Sequence, residues 1–287
     1  MSSTSEVNAG STPSPNVRES LTVTCDGGIA EVVLTGPGKG NAMGPAFFRE
    51  LPEVFAELDR DESVRVVIVR GQGGNFCYGL DLKAMGPTLM PLVSSENLAA
   101  DRLRLLRLIG ELQRGCDAVE RCAKPVIAAI SGVCIGGGVD LAAACDIRVA
   151  SREARFSVRE VKVAIVADLG SHQRLPRIIG HGHTRELAFT GRDIDAERAR
   201  CIGLVNDVLA DEAALLAHAR AMAAEIASNS PIAVQGVKQV LGYGDERRIL
   251  DGERFAAVWN SAFLASHDLM EAMSAFFEKR PPKFTGK

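Results

Sequence analysis

This sequence of 287 residues lacks the features that mark several large classes of protein. Lys and Arg (33) do not outnumber Asp and Glu (36), and the net charge of −3 leaves no basic surplus for nucleic acid or an anionic membrane. No stretch of about 18 apolar residues is free of charge, which argues against a transmembrane helix. No repeat of about 20–50 residues is present. The length allows one large domain, or one domain with a small appendage.

Familiar catalytic and metal motifs are also missing. There is no GxSxG elbow for a serine hydrolase and no HExxH zinc motif, and the glycine-rich loop 71–79 lacks GxGxxG spacing and a Walker lysine. His181 and His183 are interpreted as surface or loop residues, so no metal site is predicted. The seven cysteines form no CxxC pair and several lie in apolar runs. We expect free thiols in a reducing compartment.

The chain divides by pattern into three parts. Residues 1–18, rich in Ser, Thr, Pro and Asn, predict a disordered tail without the apolar core of a signal peptide. Short apolar runs then alternate with helical spacing to about residue 208, which indicates a mixed β/α core over 19–208. From Asp211 the pattern is helical throughout, so residues 209–287 are predicted to be a helical region.

Local signals predict individual elements within these parts. Asp26-Gly27-Gly28 between two β-rich runs predicts a hairpin. The sequence also predicts a flexible connection over 86–95 and a glycine turn over 132–138. Helices are predicted from Pro45 to Asp59, from Ile194 to Cys201 and from Arg247 to Phe263. A pair of short helices is predicted from Arg174 to Gly180 and from His183 to Thr190.

Chemistry is most strongly indicated between Lys124 and Asp168. A buried strand leads through Gly136-Gly137-Gly138 into a helix of small residues. Gly137 would expose its N–H at the helix N-terminus, where the helix dipole favours a developing anion. An oxyanion hole needs a second donor, which the loop ending at Leu80 could supply. The alternative is tight strand-to-helix packing, for which glycines are also suited.

Three acids follow in apolar surroundings: Asp140, Glu160 and Asp168. Each has an ordinary explanation. Asp140 could stabilise a helix dipole, Glu160 could be a solvated surface charge, and Asp168 could cap the next helix. Grouped around one glycine turn, however, acids of raised pKa are suited to general acid–base catalysis near neutral pH.

Several short phrases carry a resemblance to a known family. They are Gly40 to Met43, Phe76 to Leu82, Lys124 to Ile130, Gly136 to Gly138, Ala144 to Arg148, and Gly203 to Val205. In these phrases the chain, from about Leu21 to Phe284, resembles the crotonase superfamily of enoyl-CoA hydratases and isomerases. The resemblance implies an α/β fold, a crotonase-like spiral of ββα units over residues 19–208. It also implies that the C-terminal helical region 209–287 builds homotrimers or homohexamers.

The resemblance further implies an acyl-CoA thioester as substrate, with coenzyme A as part of it and no separate cofactor. It places the thioester oxygen between the backbone N–H groups of Leu80 and Gly137. Eight residues are expected to border the substrate: Lys39, Asn41, Ala42, Tyr78, Gly79, Asp81, Lys83 and Gly136. The segment from Phe277 to Lys283 is expected near the CoA adenine.

The acids distinguish members of the superfamily. Hydratases hold water with two glutamates at the positions of Asp140 and Glu160, and usually have glycine at that of Asp168. The set of three found here looks like Δ3,5-Δ2,4-dienoyl-CoA isomerase of fatty-acid β-oxidation, as does the phrase Gln173 to Pro176. That resemblance implies that Asp168 acts at C2 and Glu160 at C6, while Asp140 tunes or orients the pair. Enoyl-CoA hydration is the alternative, and a binding protein, for instance for RNA, is a third that the charge disfavours.

Two residues depart from the family pattern. Tyr78 is bulkier than the small residue expected before Gly79, and it is predicted to narrow the acyl site. Ala164 stands where a glycine is expected, which would stiffen the turn leading to Asp168. The terminal residues FTGK are not an SKL-type peroxisomal address. We therefore expect a cytoplasmic protein that binds no nucleic acid and does not insert into membranes.

Overall fold

The computed structural model describes residues 18–93, 98–246 and 267–287. The predicted disordered tail, apart from its last residue, and the predicted helix from Arg247 to Phe263 lie outside the described residues. No helix among the described residues is long and apolar enough to span a bilayer.

The main sheet of the described chain has six strands in the order β1-β2-β3-β4-β6-β9. They are Leu21–Asp26 (β1), Ile29–Leu34 (β2), Val66–Gly71 (β3), Val126–Ile130 (β4), Ile147–Ser151 (β6) and Asp207–Leu209 (β9). Strands β1 and β2 form the predicted antiparallel hairpin, with Gly27 and Gly28 at φ values of 56° and 82°. The remaining pairs are parallel, which requires crossover connections.

A second, three-stranded sheet comprises Val133–Ile135 (β5), Arg155–Ser157 (β7) and Ile194–Asp195 (β8). Two predictions are wrong here. The span 132–138 is not a turn throughout, because β5 pairs in parallel with β7. The helix predicted from Ile194 instead begins at Ala196, because Asp195 caps it by accepting a hydrogen bond from the Arg198 N–H at 2.8 Å.

The helices cover both faces of the main sheet. They are Pro45–Arg60 (α1), Leu82–Val93 (α2), Leu98–Arg121 (α3), Gly137–Ala144 (α4), Ser171–Thr190 (α5), Ala196–Cys201 (α6), Glu212–Ala227 (α7), Pro231–Glu246 (α8) and His267–Glu278 (α9). The flexible connection predicted over 86–95 is wrong, because α2 continues through Pro87 and Pro91 to Val93. Packing of α2 on α3, with Met85 buried, offsets the backbone hydrogen bonds that proline cannot make.

Strand residues alternate between two apolar layers. Val67 and Val69 face the larger core beside α1 and α3, while Val66 and Ile68 face a smaller cluster beneath α7. This period of two, with apolar residues on both faces, is typical of a sheet covered on both sides. The described chain therefore has the α/β class predicted from its sequence.

Candidate active site

Two glycine-rich loops meet beside the N-terminus of α4. Gly79 has φ 79° and Gly136 has φ 54°, both in the region that favours glycine. A Cβ atom added to Gly79 would lie 3.0 Å from the Gly137 nitrogen and 2.8 Å from the Ile135 carbonyl oxygen. Only glycine fits at position 79, and its lack of a side chain lets the backbone next to Leu80 approach the first N–H of α4.

The N–H groups of Leu80 and Gly137 are both available to a ligand. Neither donates a hydrogen bond to another residue that the structure describes. Met43 holds the segment on both sides of Leu80: its N–H donates to the Gly79 carbonyl at 2.8 Å, and its carbonyl accepts from the Asp81 N–H at 3.0 Å. Gly137 is the first residue of α4, so its N–H has no acceptor within the helix and carries the positive end of its dipole. Two such donors can bind an oxyanion.

Asn41 anchors the loop that leads to Leu80. Its side-chain amide donates to the carbonyls of Gln72, Asn75 and Phe76 at 2.9, 2.8 and 3.3 Å, and its backbone adopts φ 58°. The Cys77 thiol lies between the same two segments, 3.2 Å from the Asn41 carbonyl and 3.3 Å from the Gly79 nitrogen. The amide of Asn41 is thus committed to shaping the loop.

Tyr78 packs across the neighbouring loop. A Cβ atom added to Gly40 would collide with the Tyr78 ring, and Gly40 itself has φ 64°. The Tyr78 N–H also donates to the Gly40 carbonyl at 3.0 Å. The ring therefore lies against the Lys39–Ala42 loop, which the family resemblance assigns to the CoA side of the site.

The remaining predicted substrate residues lie on the same side. Asp81 caps α2 by accepting hydrogen bonds from the N–H groups of Lys83 and Ala84 at 3.1 and 2.9 Å. Lys39 and Lys83 are exposed, while Ala42 is half-buried beside Gly38. This surface offers two cations beside a capped helix start.

Asp140 is the most buried of the three acids, with 1% of its surface exposed. It lies on the first turn of α4 and accepts a 2.6 Å hydrogen bond from the Ser171 N–H. Burial raises its pKa and nearby Asp168 adds to the rise, whereas Ser171 and Arg174 act to lower the pKa. Both a helix-dipole partner and a site carboxyl are therefore consistent with its position.

Glu160 begins a 3₁₀ turn, Glu160–Val163, and its carboxyl faces the glycine turn. A Cβ atom added to Gly136 would lie 3.4 Å from Glu160 Oε1. Its other oxygen, Oε2, is buried without a hydrogen-bond partner among the described residues. Burial, followed by the charges of Asp140 and Asp168, raises the Glu160 pKa to about 7. The burial of Oε2 shows that Glu160 is not a fully solvated surface charge.

Asp168 is an exposed residue, yet partial burial of its carboxyl raises its pKa. It does not cap α5, because the capping position is Gly170 and no side chain caps that helix. Asp168 lines an open cavity of about 300 Å³ together with residues of α3 and α5. The turn before it ends at Ala164, whose φ of 57° is the left-handed conformation expected of the glycine it replaces.

The structure adds residues that sequence reasoning did not assign to the site. Ser171 donates its N–H to Asp140, and Gln113 donates from α3 to the Asp168 carbonyl at 2.7 Å. Arg174 donates to the Leu169 carbonyl at 3.1 Å. The phrase Gln173 to Pro176 was a signal for Arg174, but nothing in the spacing of Gln113 indicates its role.

The sequence matches a known protein family over most of its length. The family described as enoyl-CoA hydratase/isomerase matches residues 24–287. The chain belongs to the enoyl-CoA hydratase/isomerase family. As a member it is 44% identical over 256 residues to the mitochondrial Delta(3,5)-Delta(2,4)-dienoyl-CoA isomerase of Dictyostelium discoideum, covering 89% of this chain and 87% of the relative. The peroxisomal enzyme of the same name from Arabidopsis thaliana is 42% identical, with 90% and 93% covered.

Solved structures of the family confirm the predicted crotonase fold. The chain is similar to an enoyl-CoA hydratase from Bacillus anthracis, with a TM-score of 0.85 and 31% identity over 93% of this chain and 100% of that one. The predicted cytoplasmic location is wrong: the similar relatives are named as mitochondrial or peroxisomal. That prediction relied on the absence of a recognised address motif, and such an absence does not specify a compartment.

Proposed function

We propose that this family member is a Δ3,5-Δ2,4-dienoyl-CoA isomerase acting in fatty-acid oxidation. The observation that carries the proposal is the third carboxyl, Asp168: its charge acts on both Asp140 and Glu160, and its neighbour Leu169 packs beside Gly137. A shift of two double bonds needs proton removal at one carbon and proton delivery at another, and therefore two acid–base groups. The names of the relatives at 40–44% identity support the same reaction.

The first step forms an enolate that is conjugated with both double bonds of the substrate. The ionised carboxylate of Asp168 takes the C2 proton, so the C2–H bond breaks and its electron pair enters the conjugated system. Negative charge develops on the thioester oxygen, where the N–H groups of Leu80 and Gly137 stabilise it. The positive end of the α4 dipole adds to this stabilisation.

The second step delivers a proton at C6. Protonated Glu160 donates it, a C6–H bond forms, and the electron pair returns from the enolate oxygen to give the 2,4-diene. A Glu160 pKa of about 7 leaves a substantial protonated fraction at neutral pH. Asp168 is left protonated and Glu160 ionised. Asp168 returns its proton to water in the open cavity that it lines, and Glu160 regains a proton before the next turnover.

Substrate binding is assigned to the loops around the donors. Lys39 and Lys83 are exposed cations suited to the phosphates of coenzyme A. Ala42 and Tyr78 border the CoA side, and Gly79 and Gly136 flank the two N–H donors. Coenzyme A belongs to the substrate, and acid–base groups alone can move the double bonds, so we propose that no separate cofactor or metal takes part. We also propose a homotrimer or homohexamer as the assembly.

The direct test offers the purified chain 3,5-dienoyl-CoA and follows the absorbance of the conjugated 2,4-dienoyl thioester. The same preparation is tested for water addition to crotonyl-CoA. Isomerisation with little hydration supports the proposal. Hydration of crotonyl-CoA without dienoyl isomerisation would contradict it.

Hydration remains the second candidate because similar solved structures carry the name enoyl-CoA hydratase. Two observations disfavour it. Asp140 is one methylene shorter than the glutamate that hydratases use, and one of its oxygens already accepts from Ser171 at 2.6 Å. A hydratase would depend on Asp140 and Glu160 and be indifferent to Asp168, so the Asp168→Asn variant separates the two functions.

A further inference from the structure

Two of the three carboxyls depend on one short segment, residues 168–171, here named the Asp168 loop. It carries the carboxyl of Asp168 at its start and the Ser171 N–H at its end. That N–H donates to Asp140 at 2.6 Å. A displacement of this loop would therefore move one acid directly and release the hydrogen bond of another.

The Asp168 loop is held from outside by side chains. Arg174 Nη1 donates to the Leu169 carbonyl at 3.1 Å, and Gln113 donates to the Asp168 carbonyl at 2.7 Å. The other end of the guanidinium is fixed by Asp117 at 2.9 Å and Glu120 at 2.6 Å. These α3 residues, 113, 117 and 120, have helical spacing and so share one face. Helix α3 therefore holds the Asp168 loop in position through Arg174.

The contact between Arg174 and the loop is close. The Arg174 side chain is 8% exposed, and a Cβ atom added to Gly170 would collide with its guanidinium. Gly170 also has φ 115°, which favours glycine. The loop conformation and the guanidinium position are therefore mutually dependent.

We propose that Arg174 is a positioning residue for the isomerase reaction, an inference that rests on the function proposed above. It holds the Asp168 loop where Asp168 faces the substrate and where Ser171 reaches Asp140. Arg174 does not itself contact the reacting atoms. A purely structural ion pair between α3 and α5 would stabilise the fold without affecting the chemistry, and this is the alternative that the experiment must exclude.

The positive charge of Arg174 makes the pH dependence of kcat a test of the proposal. The ionisable groups that face Asp140 in the described chain are Cys77, Cys116, Cys134, Glu160, Asp168 and Arg174. Arg174 is the cation of this set and acts to lower the Asp140 pKa. Its removal should raise the pKa of Asp140 and so weaken the negative charge that raises the pKa of Glu160. Because Glu160 must be protonated to donate at C6, the basic limb of the kcat profile should move to lower pH. Lysine keeps the charge but cannot make the same forked contacts.

The experiment compares Arg174→Met and Arg174→Lys with wild type on 3,5-dienoyl-CoA. For Arg174→Met we expect kcat to fall by about 10²-fold with little change in KM, as a small misplacement of a catalytic group can cause. The basic limb should shift to lower pH in the Met variant and stay in place in the Lys variant. Arg185→Met, which removes an exposed cation from the same helix at a position that does not line the cavity, is the matched control.

Folding and binding are measured on the same samples. Thermal unfolding and assembly size give the folded fraction, and the absorbance shift of bound 2,4-dienoyl-CoA reports an intact oxyanion hole. An Arg174→Met kcat within about two-fold of wild type overturns the inference. So does a loss of activity that only matches lost folded protein with an unmoved pH profile. If wild type itself fails to isomerise the substrate, the proposed function fails, a result distinct from both.

Discussion

At the scale of single residues, Asp168 is the strongest determinant of which reaction occurs. The Asp168→Asn variant keeps the size of the side chain but removes the base, so we expect kcat for 3,5-dienoyl-CoA to fall by about 10²–10⁴-fold. Product absorbance under saturating substrate measures the change. Asp211→Asn is the matched control, because asparagine also caps helices and Asp211 caps α7 through the Ala214 N–H at 2.8 Å. Undiminished activity in Asp168→Asn would remove the base from the mechanism.

Glu160 links the chemistry to stability. Its pKa is raised from 4.5 to about 7, so the folded state holds this proton more tightly than the unfolded chain. Stability from this group is complete below pH 4.5 and is lost as pH rises through about 7. Glutamine does not titrate, so the Glu160→Gln variant does not lose stability as the pH rises. Its free energy of unfolding should exceed that of wild type by about 1–3 kcal/mol at pH 8 and nearly equal it at pH 4.

Thermal unfolding at one protein concentration, at both pH values, tests this expectation. The same Glu160→Gln variant should lose isomerase activity, since glutamine has no proton to deliver at C6. Equal stability of variant and wild type at pH 8 would mean that the buried carboxyl is paired or hydrated in solution. Gained stability together with lost activity is the combination that identifies a strained catalytic acid.

Whether the sequence could predict a site residue depends on which group that residue contributes to the site. Leu80 and Gly137 offer backbone N–H groups, and glycine phrases mark such positions. That these donors bind the thioester oxygen stays a prediction. The three acids could be grouped by their apolar surroundings. Asn41 was predicted as a substrate residue, yet its amide binds three carbonyls, a role that depends on distant residues brought together by the fold. Gln113 is separated from Asp168 by 55 residues, beyond any local signal.

At the scale of elements, α4 and the 76–79 loop must approach closely for the two donors to converge. A Cβ atom added to Gly138 would lie 2.5 Å from the Cys77 carbonyl oxygen, a backbone atom that cannot move alone. Gly138→Ala should therefore separate the elements, lowering kcat by about 10²-fold through a widened oxyanion hole and stability by about 1–3 kcal/mol. Kinetics and thermal unfolding of one preparation measure both effects.

Gly110→Ala provides the control for that variant. Gly110 lies inside α3 with nothing within 4 Å of an added Cβ, so alanine should raise stability by about 0.5–1 kcal/mol without altering kcat. If Gly138→Ala behaves like Gly110→Ala, the close approach of the two elements is not needed for the reaction.

Local sequence patterns predict some of the helices and strands and fail for others. The hairpin and α1 follow from local signals, because turn glycines and helical spacing act within a few residues. Strand β5 has three residues, too few for periodicity, and exists because β7 pairs with it. Helix α2 contains Pro87 and Pro91, which locally favour a connection, but packing on α3 outweighs that preference. Tertiary contacts decided β5 and α2, whereas the start of α6 is set by the local cap at Asp195.

At the scale of the whole molecule, the described C-terminal helices leave apolar side chains in solvent. Val237 and Leu241 on α8 are 59% and 64% exposed, and their spacing of four puts them on one face of the helix. Met270 on α9 is 67% exposed. Burial of one such side chain contributes about 1.5–3 kcal/mol, so an association that covers them is favourable. These positions support the predicted role of residues 209–287 in building an oligomer.

The prediction is that wild type forms trimers or hexamers and that Val237→Asp with Leu241→Asp shifts the mass toward the monomer. Charges buried at an interface without partners oppose association, whereas they cost little on an exposed helix face. Light scattering across a dilution series gives the mass, and a thermal midpoint that rises with protein concentration confirms coupled folding and assembly. Leu241→Met, which keeps an apolar side chain of similar volume, is the control and should assemble as wild type does. If the double variant keeps the wild-type mass at every dilution, the apolar face of α8 lies outside the interface, and assembly must use another surface of the chain.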